Sequence, residues 1–466
     1  MSDTTSNNGI GFVRDQMLTE QAPPAGTRGV QKWVWDNILS SMTNFSSIGA
    51  GIVSSLMIIL TIGSAWLAYQ AISFVVSFGF LEAVWTGENR EACATIKQGG
   101  VRPDEAFGAC WAYVDAYFST FIYGRYPEVE RWRVDWSAII FFGGLIPLLM
   151  PTVPFKRENL IYMTVFAPLA VLILLTGGNF DFGAFLPFVG TNFWVDFVVL
   201  SAAIAGGCAY WAHMTAGNPK KSAISVLIVM AAIGALIFLM TIDFGLSHVE
   251  TEVWGGLLVT LVIAITGIAA SLPLGIALAL GRRSEMPIVR MVCIIFIEFW
   301  RGVPLITVLF MSSVMLPLFL PEGVTFDKLL RALIGVGLFS AAYMAEVVRG
   351  GLQAIPKGQY EGAMALGLTF WQMINKIIMP QALKLVIPGI VNTFIGLFKD
   401  TTLVLIIGLF DFLGMIQSSF TDATWSTPVQ SLTGYLFAAL VYWIFCFAMS
   451  RYSIFMENRL NTGHKR

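Results

Sequence analysis

Along most of this 466-residue chain the apolar positions do not alternate with polar ones; they run together in blocks. A bilayer core about 30 Å thick is crossed by a helix of roughly 20 such residues. Ten stretches meet or approach that length, near 51–80, 136–153, 160–176, 193–212, 222–242, 254–281, 287–320, 328–350, 382–407 and 434–456. The stretch 287–320 is too long for one straight span. Gly302-Val303-Pro304 is its expected break, because proline removes a helical N–H and its ring collides with the preceding turn. The pattern predicts an all-α, polytopic membrane protein with about ten transmembrane helices.

Basic residues orient that prediction, since short cytoplasmic loops carry an excess of Lys and Arg. Ten spans return the chain to the side on which it started. Placing both termini in the cytoplasm puts Lys156, Arg157, Lys220, Lys221, Arg282, Arg283, Arg290, Arg349, Lys357, Lys376 and Lys384 in or beside cytoplasmic segments. The short outer loops at 177–192, 243–253 and 408–433 then hold no Lys or Arg, and Lys328 and Arg331 are the short-loop exceptions. Three regions follow: a polar cytoplasmic tail at 1–50, five spans at 51–245 with an outer insertion at 81–135, and five spans at 246–466 with a polar cytoplasmic insertion at 356–380.

Composition agrees and narrows the function. Hydrophobic residues make up 56% and charged residues 12%, against about 25% charged in soluble domains. A net charge of −1 gives no basic field for nucleic acid. Three scattered histidines and five cysteines offer no metal-ligand spacing. Cys93 and Cys110 share the outer insertion, where an oxidising compartment allows either a disulfide or two free thiols.

Residues 349–384, RGGLQAIPKGQYEGAMALGLTFWQMINKIIMPQALK, do not read as a span. Pro356-Lys357-Gly358 breaks the preceding helix, Glu361 to Leu366 forms a short helical run stopped by Gly367, and Trp371 to Met379 forms a second run closed by Pro380. Two short helices joined at a glycine make a rigid knob at the membrane surface.

Glu361-Gly362-Ala363, Gly367 and Ile377-Ile378-Met379-Pro380 resemble, with matching spacing, the EAA loop of ABC-importer permeases. Arg301-Gly302-Val303-Pro304-Leu305, Tyr343 to Gly351, Pro380-Gln381-Ala382-Leu383 and Lys399-Asp400-Thr401-Thr402-Leu403 resemble further segments of polar-amino-acid permeases in the same order. The overall layout is similar to the long subunit of general L-amino-acid (glutamate, glutamine, aspartate, asparagine) transporters.

The resemblance implies a bacterial inner-membrane subunit whose last five spans form a type I ABC importer permease core. It implies a non-enzymatic subunit, with alternating access driven through Pro356, Lys357, Glu361, Gly362, Ala363 and Gly367 by a separate ATPase dimer that uses ATP and magnesium. A shorter paralogous permease and a periplasmic amino-acid-binding protein complete the implied assembly. No phosphate-binding G-x-x-x-x-G-K-[ST] loop occurs in this chain.

Charges inside spans are expensive, roughly 2.5–3.5 kcal/mol at the bilayer centre on insertion scales, and so mark function or pairing. Glu298 and Arg301 are one turn apart and are expected to pair, bracing the break at Gly302. Glu346 and Arg349 share that spacing and read as structural or gating. Asn392, Thr393, Gly396 and Asp400 fall on one broad helix stripe, which with Thr401 is the expected substrate path. The family often has an acid where Thr393 stands. An ion-gradient-driven secondary transporter is the rival reading, compatible with Asp400, Glu298 and Glu346 but silent on the knob.

Overall fold

The computed structural model describes residues 48–180, 182–183, 192–214, 218–319 and 327–460. Most of the expected N-terminal tail, residues 1–47, lies outside them. The chain divides into two units, 1–83 and 84–466. The first contains α1 (Ile48–Val76), which passes into a wider turn at Ser77–Leu81. Large apolar side chains such as Leu60, Trp66 and Ile72 recur along α1, the composition that a lipid-facing helix requires.

In the second unit, α2 (Trp111–Tyr123) belongs to the outer insertion. The spans α3 (Arg131–Leu149), α4 (Lys156–Thr176), α5 (Phe193–Met214) and α6 (Pro219–Thr241) follow. Helix α3 packs against α4, and α5 against α6. The turn between α3 and α4 is closed by Lys156, whose Nζ donates to the carbonyls of Pro147 (2.6 Å) and Leu148 (2.8 Å), acceptors that a helix end leaves without intrahelical partners.

The remaining spans are α7 (Gly256–Arg282), the pair α8 (Pro287–Gly302) and α9 (Leu305–Phe319), α10 (Lys328–Ala354), α12 (Phe370–Ile407) and α14 (Gln430–Leu460). Two shorter helices, α11 (Lys357–Ala365) and α13 (Phe412–Ser419), lie between them. Helices α8 and α9 meet at 102° at the expected break. Among the described residues nine helices are long and apolar enough to span, or ten if the bent pair counts as one span.

Helix α10 is the centre of this group: 56% of its apolar window is buried within the protein, against 6% for α6. Without a hydrophobic drive between helices in lipid, close packing depends on small residues. Accordingly Gly275 of α7 lies against Met344 and Ala345 of α10, and Gly337 of α10 against Ala270 of α7. One apolar core gathers Ile263, Leu309, Val336, Phe398 and Val404; another gathers Ile297, Met344, Val348, Ile378 and Ala382 beside the 356–380 segment.

The outer insertion is an ordered element. Cys93 and Cys110 are joined by a disulfide with Cα atoms 5.7 Å apart, and both are buried. Helix α2 packs against α7, α13 and α14. Its Tyr113 hydroxyl bonds Ser419 and its Tyr117 hydroxyl donates to Asp422. The Arg90 N–H donates to the Thr424 carbonyl (2.9 Å) and the Cys110 N–H to Thr433 Oγ1 (3.0 Å). Burial pushes the Tyr113 phenol up to about 12, against the weaker opposing pull of the Ser419 hydrogen bond.

Contrary to the sequence expectation, Pro380 does not close the second short run. The helix beginning at Phe370 continues through a wider turn at Ile374–Ile378 and through Pro380 into the span. Pro380 stands in the first turn of Met379–Asp400. The wider turn bonds i to i+5, so register is re-set just where proline removes a donor.

Candidate functional site

The knob is built by local rules. Pro356, extended at φ −57° and ψ 141°, precedes the first residue of α11. Gly367 then turns the chain at φ +69°, a conformation in which a Cβ would be strained. Thr369 and Gln372 form a reciprocal cap that starts α12: the Gln372 N–H donates to Thr369 Oγ1 (3.4 Å) and the Thr369 N–H to Gln372 Oε1 (3.0 Å).

Ala363 is buried, 2% exposed, and belongs to the apolar core with Ile355, Ile374 and Ile378. A small residue is what lets α11 lie this close. Lys357, Glu361, Gly362 and Gly367 are exposed. Around them Met364, Leu366, Phe370 and Trp371 expose 54–76% of their surfaces. The knob therefore presents one carboxylate within an apolar rim, the composition of a protein interface more than of a solvated loop.

Tyr360 ties the knob to the spans. Its hydroxyl donates to the Leu352 carbonyl (3.0 Å) and accepts from Arg283 Nη1 (3.0 Å). Arg283 also donates to Leu352 O (3.2 Å) and lies 5.4 Å from the Tyr360 ring centroid. In the sequence, Arg283 and its neighbour Arg282 carry only a topological meaning, because spacing along the chain does not disclose a partner 77 residues away.

The charges inside the spans also depart from expectation: Glu298 and Arg301 are not paired with one another. Arg282 Nη1 reaches Glu298 Oε1 (2.9 Å) and Glu346 Oε1 (2.7 Å). Arg301 turns instead to Glu346 Oε2 (3.7 Å) and sits 5.7 Å from the Tyr343 ring centroid. Glu346, whose side chain is 15% exposed, also accepts from Arg349 Nη2 (2.6 Å) and Nε (2.9 Å). The physical reason is tertiary: Arg282 projects from the end of α7 between α8 and α10, and the more deeply placed carboxylate gathers the guanidinium groups.

On α12, Asn392 and Asp400 are exposed, and a Cβ at Gly396 would meet nothing within 4 Å. These three residues, at i, i+4 and i+8, form an open face that a partner or solute can approach. Thr393 is half-buried, and its hydroxyl donates back to the Gly389 carbonyl (2.9 Å). Thr401 departs from the expected path. It is 1% exposed and donates to the Phe398 carbonyl (2.8 Å), because the helix tightens at Thr401–Ile407 and rotates that position into the core.

Asp411, which the sequence did not single out, is fully buried. It caps α13 by accepting from the N–H groups of Leu413 (3.1 Å) and Gly414 (3.0 Å), and it accepts from the Tyr442 hydroxyl (3.1 Å). Burial raises its carboxyl above the usual range, with those hydrogen bonds opposing. An aspartate before a helical run is a legible cap signal; its burial is not.

Residues 271–461, which hold the knob and the arginine–carboxylate cluster, match the family described as "Binding-protein-dependent transport system inner membrane component". The inner membrane amino-acid ABC transporter permease protein YhdY of Escherichia coli (strain K12) is 44% identical over 96% of this chain and 98% of its own length. The chain belongs to the amino-acid ABC transporter permeases.

The glutamate/glutamine/aspartate/asparagine transport system permease protein BztC of Rhodobacter capsulatus is 39% identical to this permease over the full length of both chains. A solved amino acid ABC transporter with histidines is 28% identical over 44% of this chain and 92% of its own, with a TM-score of 0.38. This permease is a multi-pass inner-membrane transport subunit rather than an enzyme. Its family works with ATPase and substrate-binding partners. The secondary-transporter reading also loses two carboxylates, since Glu298 and Glu346 are held by arginines.

Proposed function

We propose that this permease imports polar and acidic L-amino acids and their amides, with ATP and magnesium used by a separate ATPase dimer seated on residues 356–380. The observation that carries the docking reading is the α11 knob: Glu361 exposed inside the rim of Met364, Leu366, Phe370 and Trp371, with Ala363 fixed in the core beneath. The amino-acid class is supported by the full-length likeness to a permease named for glutamate, glutamine, aspartate and asparagine.

Both termini lie in the cytoplasm on this reading, because the basic loops do. A shorter paralogous permease supplies the other half of the path and faces Asn392, Gly396 and Asp400, and a periplasmic binding protein delivers the amino acid. Pro356, Lys357, Gly362 and Gly367 shape and present the docking helix. Replacing Glu361 with Ala is expected to cut glutamate or glutamine uptake by about tenfold or more, the usual effect of losing a central interface contact, with the amount of permease in the membrane unchanged. Uptake equal to wild type, or an ATPase that co-purifies equally well with a chain lacking the knob's exposed side chains, overturns the docking reading.

A further inference from the structure

Arg282 and Arg283 are consecutive, yet their side chains hold different parts of the molecule. Arg283 holds the knob through the Tyr360 hydroxyl, the Tyr360 ring and the Leu352 carbonyl. Tyr360 is the residue immediately before Glu361. Arg282 holds Glu298 of α8 and Glu346 of α10. Glu346 in turn holds Arg301, which adjoins the bend at Gly302-Val303-Pro304. One peptide step at the end of α7 thus separates a contact to the docking helix from a contact to the foot of the bent span.

We propose that Arg282 and Arg283 act as a two-armed relay that links movement of α11 to the α8–α9 bend, a role that rests on the reading that an ATPase docks on α11. Both are positioning residues that act through Tyr360 and Glu346. Arg283 grips Tyr360 by a hydrogen bond and by its ring, so a shift of α11 pulls on the end of α7. Arg282 carries that shift to the carboxylates.

The cluster has the composition of a switch. Two carboxylates, Glu298 and Glu346, serve three guanidinium groups, Arg282, Arg301 and Arg349. Arg301 is the loosest arm, at 3.7 Å from Glu346. Glu298 lies three residues before Arg301 on the same helix, at the spacing of a direct pair. When Arg282 releases Glu298, Arg301 exchanges Glu346 for Glu298. That exchange would give the cluster a second, discrete pairing at the foot of the bend, the kind of two-state element that transmission between distant sites requires.

The test uses the whole transporter, this chain with its partner permease and ATPase, in proteoliposomes with the binding protein and radiolabelled glutamine or glutamate. Amino acid imported per ATP hydrolysed is compared for wild type, Tyr360→Phe, Arg283→Gln, Arg283→Lys and Arg282→Gln. Tyr360→Phe keeps the ring and its packing and removes only the hydroxyl. The relay predicts that Tyr360→Phe, Arg283→Gln and Arg282→Gln each lower the ratio by about threefold or more, that Tyr360→Phe with Arg283→Gln is no worse than either alone, that Arg283→Lys recovers part of it, and that the substrate KM is unchanged.

A ratio equal to wild type in Tyr360→Phe and Arg283→Gln overturns the relay. So does an equal fall in uptake and hydrolysis, or loss of the ATPase from the purified Tyr360→Phe complex, because either makes the contact structural. A wild-type chain with no ATP-driven uptake overturns the docking reading and the relay with it. Coupled uptake in wild type that is unaltered in the variants overturns the relay alone.

Discussion

Gly275 in α7 has no room for a side chain: a Cβ there would lie 2.7 Å from Met344 Cβ and 3.0 Å from the Ala345 nitrogen. Those atoms belong to α10, the most buried span among the described residues, so the neighbour cannot withdraw into lipid. Overpacking of this kind costs about 1–3 kcal/mol, and Gly275→Leu is expected to lower the thermal midpoint of the purified permease by several degrees; an unchanged midpoint would refute the close approach. At this scale the sequence was readable where one residue's own chemistry decides. Glycine at +69° in the knob is such a residue. It was unreadable where a partner comes from elsewhere. Glu298 and Arg301 look like a pair by spacing, and a third residue, Arg282, decides otherwise.

The elements show the same division. Apolar length placed the spans, since a helix that must cross about 30 Å of hydrocarbon has little freedom in its extent. The break at Gly302-Pro304 followed from proline alone. Pro380 misled because proline ends helices in water yet also suits a first helical turn, and the wider turn at Ile374–Ile378 supplies the change of register. The insertion's docking was out of reach, because its partners at 419–433 lie more than 300 residues away. Its disulfide closes a sequence separation of 17 residues, for which loop-closure entropy gives about 3 kcal/mol. Replacing both Cys93 and Cys110 with Ser is expected to raise hydrogen exchange across 84–123 by about two orders of magnitude, with the spans unaffected. Equal protection in both proteins would show that the contacts to Ser419, Asp422, Thr424 and Thr433 hold the insertion without the bond.

At the scale of the molecule, α3 and α4 are held to the segment at 247–249 that leads towards α7 by polar contacts bordering the apolar core, to which Tyr126, Leu175 and Val249 themselves belong. Arg133, 1% exposed, pairs with Glu130 (2.8 Å) and donates to the Ser247 carbonyl (2.8 Å) and hydroxyl (3.0 Å). The Ser247 hydroxyl donates to Glu130 (2.7 Å) and the Val249 N–H to the Thr176 carbonyl, while the Tyr126 hydroxyl ties the start of α3 to the Leu175 carbonyl of α4. Five spans before residue 245 and five after it were visible in the sequence; that Arg133 ties α3 to Ser247 was not, because a lone charge beside a span reads equally well as solvated. Its burial decides the matter. Removing one member of a fully buried pair costs about 3–5 kcal/mol; Glu130 is partly exposed and keeps the Ser247 hydroxyl, so Arg133→Met, which keeps much of the side chain's length and loses the charge, is expected to destabilise these contacts by less, about 1–3 kcal/mol. Protease cleavage of the purified permease near 243–250 is then expected to quicken, while the pairing of α7 with α10 persists. Restoring protection by Glu130→Gln in the Arg133→Met background would identify the stranded carboxylate as the source of the loss, whereas no recovery would place the cost in the two bonds to Ser247.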